Sequence, residues 1–125
     1  MNATLAGALA VTLVLAAGSA LAEGNETRGE RLFNQQCKAC HTLEQGGHNL
    51  VGPNLHGLFG RKAGSAEYQY SDAMKKSRIT WDKKTLDEYL KDPKAKVPNT
   101  KMTYIGLRQE QQREDMIAFL KKATP

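Results

Sequence analysis

Two cysteines and a histidine stand close together in the first third of the chain, as Cys37-Lys38-Ala39-Cys40-His41. Two thiols at this spacing can each add to one vinyl group of a porphyrin, and a single turn of backbone then carries both thioether bonds. The imidazole that follows the second thiol is a good ligand for iron. The spacing therefore predicts the attachment site of a c-type haem, a redox cofactor.

Three other kinds of site use the same residue types. A thioredoxin-like dithiol normally lies in a βαβ pattern, which does not surround these cysteines. A zinc site would need His48 and His56 as its other ligands, but seven residues separate them, against the usual spacing of about three to five. A disulfide between Cys37 and Cys40 would close a very small loop and stabilise the fold little. Haem attachment is the favoured interpretation.

Haem iron has a second axial position, for which the sequence offers several side chains. His48 and His56 lie in a glycine-rich loop, where a polar surface role is the simpler interpretation. Met74 belongs to a polar helical turn, and Met116 belongs to an apolar helical stripe that is typical of a core. Met102 lies in an irregular loop that can bring a thioether to iron. It is the favoured candidate among alternatives that the residues alone leave open.

The length and charge of the chain indicate one small, mildly basic domain. The chain has 125 residues, of which 18 are basic and 13 acidic, with a formal net charge of +5. Haem with two ionised propionates lowers this to about +4 in the ferric state and about +3 in the ferrous state. That charge favours acidic protein surfaces. Because no nucleic-acid motif accompanies the charge, and acidic residues are interspersed with the basic ones, nucleic acid is not an expected partner.

The first 22 residues differ in composition from the rest of the chain. They carry no charged side chain and contain an apolar run over residues 5–15. The tripeptide Ala-Leu-Ala at 20–22 is a small-x-small cleavage pattern, which predicts a signal peptide over 1–22 and a mature domain over 23–125. The leader lacks the usual basic residue near its start. An uncleaved membrane anchor is the alternative, since about 20 apolar residues can span a bilayer.

Helices joined by long loops are the predicted architecture. A first helix is expected over 27–37, a second from the N-cap Asp82 to near Asp92, a short turn over 93–96 and a last helix over 109–122. Glycine and proline predict loops over 44–80, with a helical turn at 72–76, and over 98–105. No strand is predicted. The expected fold class is therefore all-α, with long loops that wrap a cofactor.

Several longer segments resemble class I cytochromes c, close to mitochondrial cytochrome c and its alphaproteobacterial relatives. The resemblance covers nearly all of residues 24–124. It implies the cytochrome c fold around one covalently attached haem c, with His41 and Met102 as the axial iron ligands. Beyond the cysteine motif, the segments that carry it are GPNLHGLFGRK at 52–62, ITW at 79–81, PNTKM at 98–102 and REDMIAFLKK at 113–122.

The resemblance also implies which residues support the two axial ligands. The Pro53 carbonyl is expected to accept a hydrogen bond from the His41 ring, because a metal-bound imidazole must place its second nitrogen on an acceptor. The Tyr89 hydroxyl is expected near the Met102 sulfur. Thr100 is expected to be a further polar neighbour of the haem.

Three further residues are implied as contacts of the haem propionates, and several positions depart from the family pattern, Tyr104 and Asn99 among them. Arg61, Tyr70 and Trp81 are expected to donate to the propionates, since buried carboxylates need donors and countercharge. Tyr104 stands at the haem edge where relatives carry Phe. Asn99 stands where Gly is usual, and asparagine tolerates the positive φ that such a turn needs.

The predicted function is soluble, periplasmic one-electron transfer. The chain is expected to take electrons from a quinol-oxidising cytochrome complex and to deliver them to an oxidase, a photosynthetic reaction centre or a reductase. Partners are expected to be membrane redox complexes, reached by transient docking of a basic patch on a monomer, without stable membrane insertion. An iron whose two axial positions are taken by His and Met has no coordination position open for a substrate. The chain is therefore predicted to be a carrier and not an enzyme. The alternatives are a haem enzyme or gas sensor with an open position, and a thiol or zinc module without haem.

Overall fold

Helices and long loops make up the part of the chain that this computed structural model describes, which is residues 3, 7–13 and 23–125. Within these residues, extended pairing is confined to an isolated antiparallel bridge between Lys62 and Thr80. The all-α prediction is therefore confirmed. The helices are α1 (Glu26–Gln36), α2 (Asp72–Lys76), α3 (Lys83–Lys91), α4 (Pro93–Lys96) and α5 (Glu110–Ala123).

The predicted signal peptide lies largely outside the described residues. Of residues 1–22 the structure describes residues 3 and 7–13, and the predicted cleavage point after Ala22 is not among them. The leader and its removal therefore stay predictions. Across the described part of the chain, no helix has both the length and the apolar character needed to cross a membrane.

Side-chain caps determine where most of the helices begin. Asn25 accepts a backbone N–H at the start of α1. Asp82 and Thr85 form a reciprocal capping box at α3, in which each side chain accepts the other residue's backbone N–H at 2.8 Å and 2.9 Å. Asp92 then ends α3 and caps α4, whose first residue is Pro93. The predicted start and end of the second helix are confirmed.

The predicted first and last helices match the observed ones to within one residue at each end. Helix α1 begins and ends one residue earlier than expected, and α5 begins and ends one residue later. The polar turn expected at 72–76 is the short helix α2, which Ser71 caps. Capping residues can be recognised in the sequence closely enough to place a helix to within one residue. The last residue of a helix depends on packing.

Helices α1 and α5 cross in close contact, and a glycine makes this approach possible. A Cβ on Gly29 would lie 2.0 Å from the Asp115 carbonyl oxygen and 2.7 Å from the Phe119 Cβ, far inside normal contact distance. The rings of Phe33 and Phe119 pack beside this point with their centroids 5.6 Å apart. The crossing fixes the end of α1, and with it the cysteine turn that follows, against the rest of the domain.

The buried apolar core draws on α1, α2, α3, α5 and the loops between them. A small chain has few apolar side chains to bury, so the loops supply several of them. The buried members are Phe33, Leu58, Ala63, Met74, Trp81, Leu86, Tyr89, Leu90, Val97, Leu107, Met116, Ile117 and Leu120.

A buried carboxylate reinforces the crossing of α1 and α5. Asp115 on α5 is 2% exposed and accepts the Asn25 backbone N–H at 2.8 Å. The guanidinium of Arg28 donates to it from Nε at 2.7 Å and from Nη2 at 3.0 Å, and Gln111 donates at 3.1 Å. The Arg28 hydrogen bond is the main reason why the pKa of Asp115 lies below its ordinary value of 3.8. The sequence pattern gave no sign of this contact, because charged residues on a helix usually face solvent.

A second buried charge holds the segment that leads into α5. Arg113 donates from Nε to Asp87 at 2.7 Å, and from Nη1 to the carbonyl oxygens of Leu107 at 3.0 Å and Arg108 at 2.9 Å. The Leu107 N–H in turn donates to the Leu90 carbonyl oxygen at 2.7 Å. These bonds join α3, α5 and the end of the loop that contains Met102.

We expect Asp115→Asn to lower the free energy of unfolding by about 2 kcal/mol at pH 7, the cost typical of losing hydrogen bonds to a charged group. Because the native pKa of Asp115 is depressed, its stabilisation is present above an ordinary carboxyl pKa and is lost as pH falls through the native value. The difference between wild type and variant should therefore shrink below about pH 4. Denaturant unfolding of the holoprotein from pH 3 to 7 measures it.

The adjacent Glu114→Gln is the matched control. It removes the same charge one residue away, from a carboxylate that pairs at 3.1 Å with a largely exposed Lys83. Exposed pairs contribute at most about 1 kcal/mol, so this variant should differ little from wild type. Equal effects of the two substitutions, or a difference at Asp115 that does not change with pH, would contradict the assignment.

Candidate haem site

The two cysteines lie in a tight turn at the end of α1. The backbone N–H groups of Cys40 and His41 both donate to the Cys37 carbonyl oxygen at 3.0 Å, so the three residues form one compact turn. Both thiols are half-buried and free. Burial, with a smaller contribution from Cys40, raises the pKa of the free Cys37 thiol to about 11. The Cys37 thiol is therefore a neutral group at the edge of an apolar site.

The His41 ring is held in one orientation by its neighbours. Its Nδ1–H donates to the Pro53 carbonyl oxygen at 2.8 Å, as the family resemblance implied. A Cβ on Gly52 would lie 2.5 Å from His41 Cε1, so glycine allows the ring to lie flat against this backbone. Burial lowers the pKa of His41, and the Pro53 bond opposes this only in part. The ring is thus neutral at pH 7, and its Nε2 lone pair is free to bind a metal.

The predicted attachment residues and the favoured methionine share one cavity of about 310 Å³. Four segments of the chain form its wall, within residues 36–41, 51–53, 68–74 and 100–104. Cys37, Cys40 and His41 lie on the first segment and Met102 on the last. Residues that are more than 60 positions apart in sequence are therefore brought to the same space.

Polar side chains hold the backbone of the Met102 segment. The hydroxyls of Tyr89 and Thr100 are hydrogen bonded at 2.7 Å, and Thr100 Oγ1 also accepts the Met102 N–H at 3.4 Å. Burial raises the pKa of Tyr89, and the Thr100 bond partly offsets this shift. Asn99 adopts a φ of +67°, so the turn that was expected to tolerate asparagine is present. Tyr89 and Thr100 thus position the loop. The proximity of the Tyr89 hydroxyl to the Met102 sulfur stays a prediction.

The three residues expected at the propionates have different surroundings. Tyr70 lines the cavity. Arg61 donates to the carbonyl oxygens of His56 at 3.0 Å and of Asn54 at 3.4 Å and 3.5 Å. Trp81 is buried and packs on the Tyr89 ring, with the ring centroids 5.2 Å apart. Their contacts with propionates stay predictions.

Sequence reasoning missed several contacts around the cavity. The Tyr68 hydroxyl donates to the Val51 carbonyl oxygen at 2.5 Å, and Lys101 Nζ lies 5.3 Å from the Tyr68 ring centroid. The Tyr104 hydroxyl donates to Gln36 Oε1 across the cavity mouth. A tyrosine in a loop with a basic neighbour nearby gives no sequence signal for such contacts. The reason is that the partners are 17 to 68 positions apart.

The donor set of the cavity fits a haem better than the other groups considered. Two free thiols, a neutral imidazole and a thioether are the protein groups that a c-type haem uses. Among residues 3, 7–13 and 23–125 no cluster of three or more His, Cys, Asp or Glu could hold a metal ion. The zinc alternative with His48 and His56 is therefore not supported.

Comparison with known proteins gives the family. The family model described as Cytochrome c matches residues 26–124. Curated relatives named Cytochrome c include one from Theileria parva, 49% identical over 102 residues, which cover 82% of this chain and 89% of the relative. Another from Stellaria longipes is 50% identical over 103 residues, covering 82% and 95%, and one from Gibberella zeae is 49% identical over 105 residues, covering 83% and 99%.

The chain belongs to the cytochrome c family. Its cofactor is therefore one covalently bound haem c, and its class is that of electron-transfer proteins and not of enzymes. The predictions of family, fold and cofactor, and of a carrier instead of an enzyme, are confirmed.

We expect Gly52→Ala to disturb the His41 ring, since the added methyl group overlaps it. The variant should be destabilised by about 1–3 kcal/mol, the usual cost of overpacking. The His41 ring N–H should also exchange faster with solvent as its bond to Pro53 weakens. NMR of the ferrous holoprotein measures this exchange directly.

Gly57→Ala is the control for this substitution. It also lies in the loop-rich segment, but no atom lies within 4 Å of an added Cβ, so its cost is the strain of a positive φ alone. His41 N–H exchange should stay at the wild-type rate in this variant. Wild-type exchange in Gly52→Ala as well would show that the ring does not depend on this close approach.

Proposed function

We propose that the chain is a soluble periplasmic carrier that moves one electron at a time. It takes electrons from a quinol-oxidising cytochrome complex and delivers them to an oxidase, a photosynthetic reaction centre or a reductase, as a monomer. The observation that carries the proposal is the shared cavity of the Cys37–His41 turn and Met102. One histidine and one methionine are the ligand pair of carrier cytochromes.

In this proposal His41 and Met102 are the axial ligands of the iron. The Pro53 bond fixes the neutral tautomer of His41 and presents Nε2. The Tyr89–Thr100 pair holds the backbone that presents the Met102 thioether. When bound, the haem supplies the Fe(III)/Fe(II) couple. Since the chain itself fills both axial positions, no position stays open for a small-molecule substrate.

Three residues are proposed to neutralise or bind the propionates. Tyr70 faces the cavity, which supports a direct hydrogen bond from its hydroxyl. Arg61 carries five N–H donors, of which the carbonyls of Asn54 and His56 occupy some. Trp81 has one indole N–H. These donors would offset the cost of placing carboxylates in a partly buried site.

Met102→Ala should abolish the charge-transfer absorption that a thioether gives with ferric iron. It should also lower the reduction potential by on the order of 0.1–0.3 V, within the roughly 0.8 V range that axial ligands span. A soft thioether stabilises the ferrous state, so the direction of the change follows from its loss. Optical spectroscopy and a potentiometric titration of the holoprotein provide both values.

The matched control is Met74→Leu. Met74 is a buried methionine on the same cavity wall as the half-buried Met102, so the substitution removes a thioether from that wall. The charge-transfer absorption should persist in this variant. Loss of the absorption in Met74→Leu with retention in Met102→Ala would reverse the ligand assignment.

A basic patch beside the cavity is proposed to steer docking. Two of the basic residues are already engaged, because Lys96 pairs with Glu88 and Arg108 lies 4.0 Å from Asp92. Lys38, next to Cys37, is exposed, and Lys101 is an exposed residue of the cavity wall. These two lysines are therefore the better candidates to face an acidic partner.

Lys38→Gln should reduce the association rate with the quinol-oxidising complex about two- to threefold at low salt, and the difference should vanish near 1 M salt. Stopped-flow measurements across ionic strength test this. Lys122→Gln, which removes the same charge from α5 where Lys122 pairs with Glu26 at 2.9 Å, is the control and should have a smaller effect. Equal effects at both sites would point to net charge alone and not to a patch.

Export to the periplasm is proposed on the leader-like composition of residues 1–22. The relatives described above come from eukaryotes and do not bear on this compartment. The intact mass of the protein recovered after expression in a bacterium with haem-attachment machinery tests the proposal. A mass that corresponds to residues 23–125 plus one haem is expected. A mass that retains residues 1–22 would contradict cleavage.

A further inference from the structure

One hydrogen bond crosses the mouth of the cavity between residues far apart in the chain. The hydroxyl of Tyr104, two residues after Met102, donates to the side-chain carbonyl of Gln36, the last residue of α1. Both residues line the cavity. Gln36 immediately precedes Cys37, so the bond joins the Met102 segment to the turn that carries the attached haem.

The loop over residues 98–107, here called the ligand loop, is held mainly near its ends. The Thr100 N–H donates to the Val97 carbonyl oxygen at 2.9 Å, and the Leu107 N–H donates to Leu90 at 2.7 Å. Between them, Lys101 Nζ donates to the Gln69 carbonyl oxygen at 3.1 Å. The stretch after Met102, over residues 103–106, is partly exposed to solvent.

The exposure of this stretch indicates what the Tyr104 hydroxyl contributes. The neighbouring Ile105 side chain is 78% exposed, whereas the Tyr104 ring packs against the core. The Tyr104 ring is half-buried, and burial raises the pKa of its hydroxyl, which therefore keeps its proton. A phenylalanine would cover the same surface with its ring but would leave this contact with α1 unmade.

We propose that the Tyr104–Gln36 hydrogen bond, here called the clasp, holds the ligand loop closed over the cavity and slows the departure of the Met102 thioether. Tyr104 and Gln36 are thus positioning residues, which act through Met102. The inference rests on the proposed function in one respect, the ligation of iron by Met102.

The clasp affects the rate at which an external ligand replaces the Met102 thioether. The loop must open before an external ligand can replace the thioether, and opening of a short surface loop is a local event that leaves the core intact. A surface hydrogen bond that is broken in the open state lowers the population of that state. At the usual net strength of such bonds, the clasp lowers the population of the open state roughly three- to fivefold.

The test uses the ferric holoprotein and imidazole as the entering ligand. At saturating imidazole the replacement rate is set by opening of the ligand loop. Tyr104→Phe and Gln36→Leu should each raise this limiting rate roughly three- to fivefold. The double variant should be no faster than either single variant, because each removes the same bond. Single variants with the wild-type limiting rate would overturn the proposal. So would a double variant whose rate increase is the product of the two single increases.

Two further variants separate the clasp from general surface effects. Gln36→Glu keeps an acceptor oxygen at the same position and should stay close to the wild-type rate. Gln35→Leu changes the adjacent glutamine of α1 and should have no effect. An increase with Gln35→Leu equal to that with Gln36→Leu would also count against the clasp.

Backbone amide hydrogen exchange gives a readout that does not depend on iron ligation. Exchange at Ile105 and Gly106 should rise by a similar factor in Tyr104→Phe, while amides in α5 keep their wild-type rates. An equal rise in α5 would mean global destabilisation and would overturn the clasp. If the wild-type ferric protein lacks the thioether absorption, the proposed function fails. The amide hydrogen exchange measurement tests the clasp even in that case.

Discussion

Two segments that lie far apart in the chain have to face one cavity, and the rest of the structure depends on this constraint. Residues 37–41 bring two thiols and an imidazole, and residues 100–104 bring a thioether. Neither segment has regular secondary structure of its own beyond a turn. Their positions are therefore set by the helices that precede and follow them, and by a small number of specific polar contacts.

The crossing of α1 and α5 supplies the first of these supports. Gly29 lets the two helices approach, and Asp115 gathers donors from Asn25 and Arg28 at the same place. Arg113 supplies the second support, because it binds the carbonyls where the ligand loop runs into α5. Neither charge lines the cavity, and both have hydrogen-bonded partners, which keeps the cost of their burial low. The His41 imidazole and the Met102 thioether, which line the cavity, are by contrast neutral.

Much of this arrangement could be predicted from the sequence, and the parts that could not share a physical cause. The cysteine motif predicted the cofactor because its chemistry requires a fixed local spacing. Asp82 predicted the start of α3 because a cap acts over three residues, and Asn99 was expected to adopt positive φ for an equally local reason. Local rules of this kind need no knowledge of the fold.

Most of the missed features join residues distant in sequence. Asp115 and Arg113 lie in a helix whose charged residues gave no indication of burial, and their ion-pair partners, Arg28 and Asp87, are 87 and 26 positions away. The Tyr104–Gln36 bond spans 68 positions. Arg78 adopts a φ of +59°, which is unusual for a residue of its type and carried no sequence signal. Tertiary structure, and not local propensity, determines each of these.

The central claim is that His41 and Met102 are the two axial ligands of the iron in the working protein. X-ray absorption at the iron edge of the purified holoprotein, in the ferric and ferrous states, tests it most directly. The account predicts one sulfur and five nitrogen atoms bound to iron in both states. A first shell of nitrogen and oxygen alone, or a five-coordinate iron in either state, would contradict it.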